Sequence, residues 1–121
     1  MKTLTWTLQA LLAVAFGGAG TIKLLLPMDT VAATVGGWVD TIPDQVVRLV
    51  GALEIIGAVG LIVPAATGIA PALTAVAALC LVLLMGGAVV VHRRRGEAVN
   101  VLANVALAIL CGAVVWGRLA A

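Results

Sequence analysis

With 121 residues, 64% of them hydrophobic and only 10% charged, the chain cannot form a water-soluble globule, because a short chain buries only about 60–70% of the surface it exposes when unfolded and soluble domains are far less apolar. The net charge is +2, with the basic residues gathered mostly in one place, which excludes a nucleic-acid-binding face. The remaining solvent must be lipid, and the length suits one domain.

A hydrocarbon core of about 30 Å needs about 20 apolar helical residues. Four runs meet that need and predict an all-α, integral membrane four-helix bundle. The first covers Leu4 to Leu26, entered at Trp6 and closed by Pro27. Lys2 and the sequence Ala13-Val14-Ala15 give it some marks of a cleaved secretory signal. An apolar run that continues to Leu26 is long for such a signal and favours a retained span.

The connection from Pro27 to Asp44 is the longest in the chain. It reads either as an irregular loop or as a short interfacial helix capped by Asp29 or Thr30 and stopped at Gly36-Gly37. In the helical reading Val31, Val35 and Trp38 face the bilayer, with Trp38 at headgroup level.

The second span covers Gln45 to Val63, with Asp44 as its N-cap and Pro64 closing it. The third covers Pro71 to Val91 and runs into the basic stretch His92-Arg93-Arg94-Arg95. Pro71 suits the first turn of a helix, where its missing N–H is not needed. The fourth covers Ala98 to Leu119. Four spans put the first and third connections on one side, together with Lys23, Arg48, Arg93, Arg94 and Arg95, while Lys2 and Arg118 lie on the other. The positive-inside rule then predicts a multi-pass protein with both termini on the non-cytoplasmic side. Trp6 and Trp116 mark the aromatic belt of that side.

Ionisable groups in lipid cost several kcal/mol and commonly mark function. Glu54 is the chief one. It lies about nine residues into the second span, hence roughly 14 Å deep at 1.5 Å per residue, near mid-plane. Gly51 and Gly57 flank it at three-residue spacing on nearly the same helix face, clearing room for a neighbouring backbone or a ligand. Lys23 and Arg48 lie nearer the cytoplasmic side, with His92 and Asn100 at the same end and Asn104 one turn deeper than Asn100. The interior polar residues thus predict a pocket in the cytoplasmic half around Glu54, Lys23, Arg48, His92, Asn100 and Asn104, and a dry second half. Two alternatives stand beside it. Lys23, Arg48 and His92 snorkel to headgroups, or Asn100 and Asn104 hydrogen-bond between helices. Glu54 itself suits a structural ion pair or a ligand contact.

Cys80 and Cys111 fall at similar depth in an antiparallel pair of helices, which leaves a disulfide open; thiols in lipid are otherwise inert small packers. No metal-ligand spacing, nucleophile elbow, phosphate loop or dinucleotide fingerprint is present, so no catalytic motif is visible.

The run Arg48-Leu49-Val50-Gly51-Ala52-Leu53-Glu54-Ile55-Ile56-Gly57-Ala58-Val59-Gly60-Leu61, followed by Pro64, resembles the second-helix signature of DoxX-like membrane proteins. Phe16, Gly20, Lys23 and Leu24 are similar to that family's first-helix pattern. Met85, Ala88, His92, Arg93, Arg94, Gly96 and Glu97 are similar to its third-helix ending, and Trp116-Gly117-Arg118 to its C-terminus. The resemblance covers essentially the whole chain. It implies a four-helix bundle of the bacterial inner membrane. Some such proteins are subunits associated with quinone-linked sulfur oxidation and thiol redox complexes, and the receptor-assembly chaperone NACHO is a distant eukaryotic relative. It places Lys23, Arg48, Glu54 and His92 at membrane-pocket positions without a catalytic role.

The reading favoured by the residues is a non-catalytic membrane module. It binds a lipophilic ligand, such as a lipid, or a partner's transmembrane helices through the Glu54 face, alone or as a homo-oligomer. The chief rival is a quinone-binding redox subunit in which Glu54 or His92 exchanges protons. A small proton-coupled transporter is the third.

Overall fold

The computed structural model describes residues 2–120. The described residues are helical and contain no strand. Helix α1 runs Lys2–Leu25, α2 Met28–Val35, α3 Asp44–Thr67, α4 Ala72–Arg94 and α5 Ala98–Ala120, with a 3-10 helix at Gly37–Thr41. The four long helices, α1, α3, α4 and α5, are each long and apolar enough to cross a bilayer, with mean hydropathies from 1.6 to 2.6. The protein is therefore an all-α four-helix membrane bundle.

Extensive faces join α1 to α3, α3 to α4 and α4 to α5, and α5 returns more lightly against α1 to close a ring. Leu12 and Phe16 of α1, Leu61 of α3, Leu81 and Met85 of α4 and Val114 of α5 meet in the centre. Aromatic side chains contribute little, so close approach of backbones supplies the packing, as in membrane bundles generally. The tightest crossing joins α1 to α3. A Cβ on Gly20 would stand 2.5 Å from the Gly51 carbonyl oxygen, and one on Gly51 would stand 2.7 Å from that of Gly20. Gly57 admits the Leu81 side chain, and Gly60 admits Ala77, so both pack α3 on α4.

Several local expectations need correction. Pro64 does not end the second span. Helix α3 passes through it to Thr67 and stops at Gly68, whose φ of 72° is left-handed and whose N–H returns to the Pro64 carbonyl. Proline removes one donor from a helix, and glycine is what ends this one. Asp44 is the first residue of α3 rather than its cap and makes no capping bond, although its charge suits the positive end of the helix. Neither Asp29 nor Thr30 caps α2; Pro27 precedes it, and the Asp29 carboxylate accepts the Thr30 N–H instead. The third span, α4, begins after Pro71 and carries His92, Arg93 and Arg94 in its last turn.

The short helix between the first two spans does form and stops at Gly36, where φ is 116°. Its apolar face turns inward, contrary to expectation. Val31 is fully buried with Val39 and Val47, and Val35 and Trp38 are half-buried against the bundle. The reason is local. Residues 27–43 lie across the end of the α1–α3 pair, where an apolar patch formed with Ile22, Leu26 and Val47 would otherwise stay uncovered.

Candidate functional site

The α1–α3 glycine crossing positions the central charge pair. Lys23 lies one turn beyond Gly20 toward the α1 end, and Glu54 one turn beyond Gly51 toward the middle of α3. Their backbones are thus offset by roughly 9 Å along the bundle at 1.5 Å per residue. The lysine stem spans that offset, and its Nζ donates to Glu54 Oε1 at 2.6 Å. Both groups are buried, Glu54 at 1% exposure. Lys23 therefore does not snorkel outward. A lone buried carboxylate or ammonium would be costly in this medium, and each neutralises the other.

Arg48 does not enter the pocket. Its Nη1 donates to the main-chain carbonyls of Lys23 at 2.9 Å and Leu26 at 2.5 Å. These are among the carbonyls a helix end leaves without partners, and a cation there also suits the negative end of α1.

Trp38 links the charge pair to α4. The Lys23 ammonium lies 5.5 Å from the Trp38 ring centroid, within cation–π range. The indole N–H donates to the Val35 carbonyl, which fixes the ring. His92 meets the same ring edge-on at 5.7 Å. His92 is buried, and its Nδ1 lies 2.8 Å from Glu97 Oε1, which Arg95 Nε also contacts at 3.1 Å. A carboxylate can only accept, so Nδ1 carries the proton in this contact. The hydrogen bond from His92 is the chief cause that holds the Glu97 carboxyl below its ordinary range, and Arg95 adds to it.

Beside these groups lies a cavity of about 440 Å³ bordered by all four spans and by the segment carrying Trp38. Small residues make it, since Ala15, Ala19, Gly87 and Ala103 leave the centre of this half unfilled. Its apolar wall includes Phe16, Leu84, Met85 and Leu107, and its polar end Lys23, Glu54, Trp38, His92, Asn100 and Asn104. The asparagines do not join helices. Asn104 Nδ2 donates to the Asn100 carbonyl within α5, and the Asn100 side chain makes no hydrogen bond among the described residues. Of the predicted pocket residues, Lys23, Glu54, His92, Asn100 and Asn104 border this cavity, while Arg48, Gly51 and Gly57 do not. Gly51 and Gly57 face different neighbours, α1 and α4 respectively, rather than one shared space.

Sequence reasoning missed Trp38 and Glu97 as neighbours of the pocket. Only the order Trp38 before His92, with both at the same membrane end, hinted at the first. The terminal half is also not dry. Gln9, fully buried, donates through Nε2 to the Leu61 carbonyl at 2.5 Å and accepts from Arg118 Nε at 2.7 Å. The Arg118 guanidinium stacks 4.7 Å from the Trp6 centroid, and Thr74 is fully buried nearer the start of α4. An amide inside an apolar run was the available signal, because an unpaired amide in lipid is costly and needs a partner.

Cys80 and Cys111 are both free. Cys80 is exposed beside the outer groove between α3 and α4, whereas Cys111 is buried in the central core.

A sequence model described as the DoxX-like family matches residues 7–114. No curated protein gives a significant match, nor does any solved structure.

Proposed function

The chain belongs to the DoxX-like family, and on that premise we propose that it is a non-catalytic membrane module that holds one lipophilic ligand in the cavity beside Lys23 and Glu54. The observation that carries this reading is the cavity itself: about 440 Å³, apolar along most of its wall and polar at one end. Ligand sites have that character and fall in the range of about 300–1,000 Å³. A partner's helix is the weaker occupant. The glycines that would admit one, Gly51, Gly57 and Gly60, already admit α1 and α4 of the same chain.

The quinone reading keeps one specific support, the presence of titratable His92 and Glu54 on the cavity wall. In either case the Lys- and Arg-rich connections lie in the cytoplasm and the termini outside, by the positive-inside rule.

The test uses Gly87. It borders the cavity, and a Cβ there meets nothing within 4 Å. Gly87→Leu should fold normally and occupy the space. Organic extracts of protein purified in mild detergent, compared by mass spectrometry, should show a lipophile retained by the parent and lost from the variant. Identical extracts from the two proteins would overturn the proposal. A quinone in the parent extract would favour the redox reading.

A further inference from the structure

From the hydrogen-bonding groups left over at the cavity's polar end, we infer that the ligand is a single-chain amphiphile with an uncharged hydroxyl head. This rests on the cavity reading above and specifies its ligand.

The charges exclude a charged head. Lys23 is matched by Glu54, and Glu97 is matched by Arg95, all inside the chain. A carboxylate, phosphate or ammonium brought into the cavity would arrive without a counter-ion and would have to break one of these pairs to find one. Burying an unmatched charge is far more costly than burying a neutral polar group.

The groups that remain are neutral and of both kinds. The Asn100 carboxamide has no partner within the chain among the described residues, and it offers two donors and an acceptor. His92 uses Nδ1 on Glu97, and its Nε2 makes no hydrogen bond there. With the proton on Nδ1, Nε2 of the neutral ring is an acceptor. A bare hydrocarbon satisfies neither residue. A carbonyl head accepts from Asn100 but gives His92 nothing. A hydroxyl donates to one and accepts from the other, and the attached chain lies along Phe16, Met85 and Leu107.

The experiment titrates delipidated, detergent-solubilised full-length protein with five probes of equal chain length: lauryl alcohol, the matching methyl ketone, laurate, laurylammonium and the plain alkane. Trp38 borders the cavity and reports occupancy by its emission. Trp6→Phe and Trp116→Phe remove the other indoles, and Phe at position 6 keeps a ring for Arg118. The alcohol should bind roughly tenfold tighter than the alkane, as expected for hydrogen bonds that would otherwise go unmade. Asn100→Ala should narrow that margin to the share that the bond to His92 supplies. Since the Asn100 side chain makes no hydrogen bond among the described residues, this variant should fold as the parent does, which its unfolding temperature checks. Tighter binding of laurate or laurylammonium, a ketone equal to the alcohol, or a margin undiminished in Asn100→Ala would each overturn the hydroxyl inference. An alkane that binds as well as the alcohol, and is blocked by Gly87→Leu, overturns it too but leaves the cavity reading standing. Failure of every probe to change Trp38 emission overturns both.

Discussion

Arg48 holds the main chain of the same residue, Lys23, whose side chain neutralises Glu54. The guanidinium takes the Lys23 carbonyl at 2.9 Å while the Lys23 ammonium takes Glu54 at 2.6 Å. Helix α3 thus grips the end of α1 twice, once by its backbone and once by its charge. The two grips have different consequences when broken.

Removing one member of the buried pair leaves the other unmatched in a low-dielectric site. Lys23→Met and Glu54→Leu should each destabilise by about 3–5 kcal/mol, read as a lower unfolding temperature in detergent. Glu54→Gln, which keeps a hydrogen-bond acceptor, should lose less. The double variant Lys23→Met/Glu54→Leu should recover most of the loss, because a matched apolar pair carries no desolvation penalty. Single losses that simply add in the double variant would show that the two charges are not coupled.

The Gly20–Gly51 crossing makes that pairing geometrically possible. Gly51→Ala would push a methyl to within 2.7 Å of a carbonyl oxygen that cannot retreat without moving α1. Overpacking of this kind costs about 1–3 kcal/mol. Gly112→Ala is the control, since nothing lies within 4 Å of its added methyl, and helix propensity favours alanine there by about 0.5–1 kcal/mol. Thermal unfolding of the two variants should therefore move in opposite directions. A Gly51→Ala protein as stable as Gly112→Ala would overturn the close Gly20–Gly51 crossing.

The four spans were legible because apolar runs in lipid have few alternatives to helix: every backbone polar group must be satisfied within the segment. Glu54 stood out for the same reason. What the sequence did not disclose was direction around each helix axis. Gly51 and Gly57 are six residues apart, about 600° of rotation at 3.6 residues per turn, which leaves them well off the same line, and only packing reveals that one serves α1 and the other α4. The inward turn of the 27–43 segment has a related cause. An amphipathic piece near a membrane surface has two apolar destinations, lipid or bundle, and residues such as Val31 and Trp38 suit both. Gln9 was passed over because one neutral amide barely lowers the hydropathy of a 24-residue helix.

The cysteines separate by location. Cys80 is exposed and Cys111 is buried in the core. No mobility shift on reduction is expected. Cys80→Ser should change stability by less than about 0.5 kcal/mol, as for surface substitutions. Cys111→Ala removes a buried sulfur and should cost on the order of 1 kcal/mol, like deletion of a core methylene. A reductant-sensitive shift within a single chain would overturn this placement and would strengthen the redox reading.

The contact among His92, Arg95 and Glu97 sits at the basic end of α4, with Arg95 and Glu97 beyond the spanning helix, and it should respond to pH with a definite sign. Glu97 accepts from His92 and Arg95 through the same oxygen, and chiefly the His92 bond holds its carboxyl below the ordinary range in the folded protein. A folded value below the unfolded one means the native state favours the carboxylate. The stabilisation is then fully present above the ordinary glutamate range, and it is lost as pH falls through the lowered folded value. Glu97→Gln lacks the charge at every pH. The parent should therefore unfold at a higher temperature than Glu97→Gln at neutral pH, and the gap should close on acidification. Because Glu97 and Arg95 are partly accessible to water, high salt should also narrow the gap at neutral pH. Thermal unfolding of both proteins across a pH series, at low and high salt, measures this directly. A gap that widens as the solution is acidified would mean that Glu97 is protonated in the native contact, with His92 accepting rather than donating.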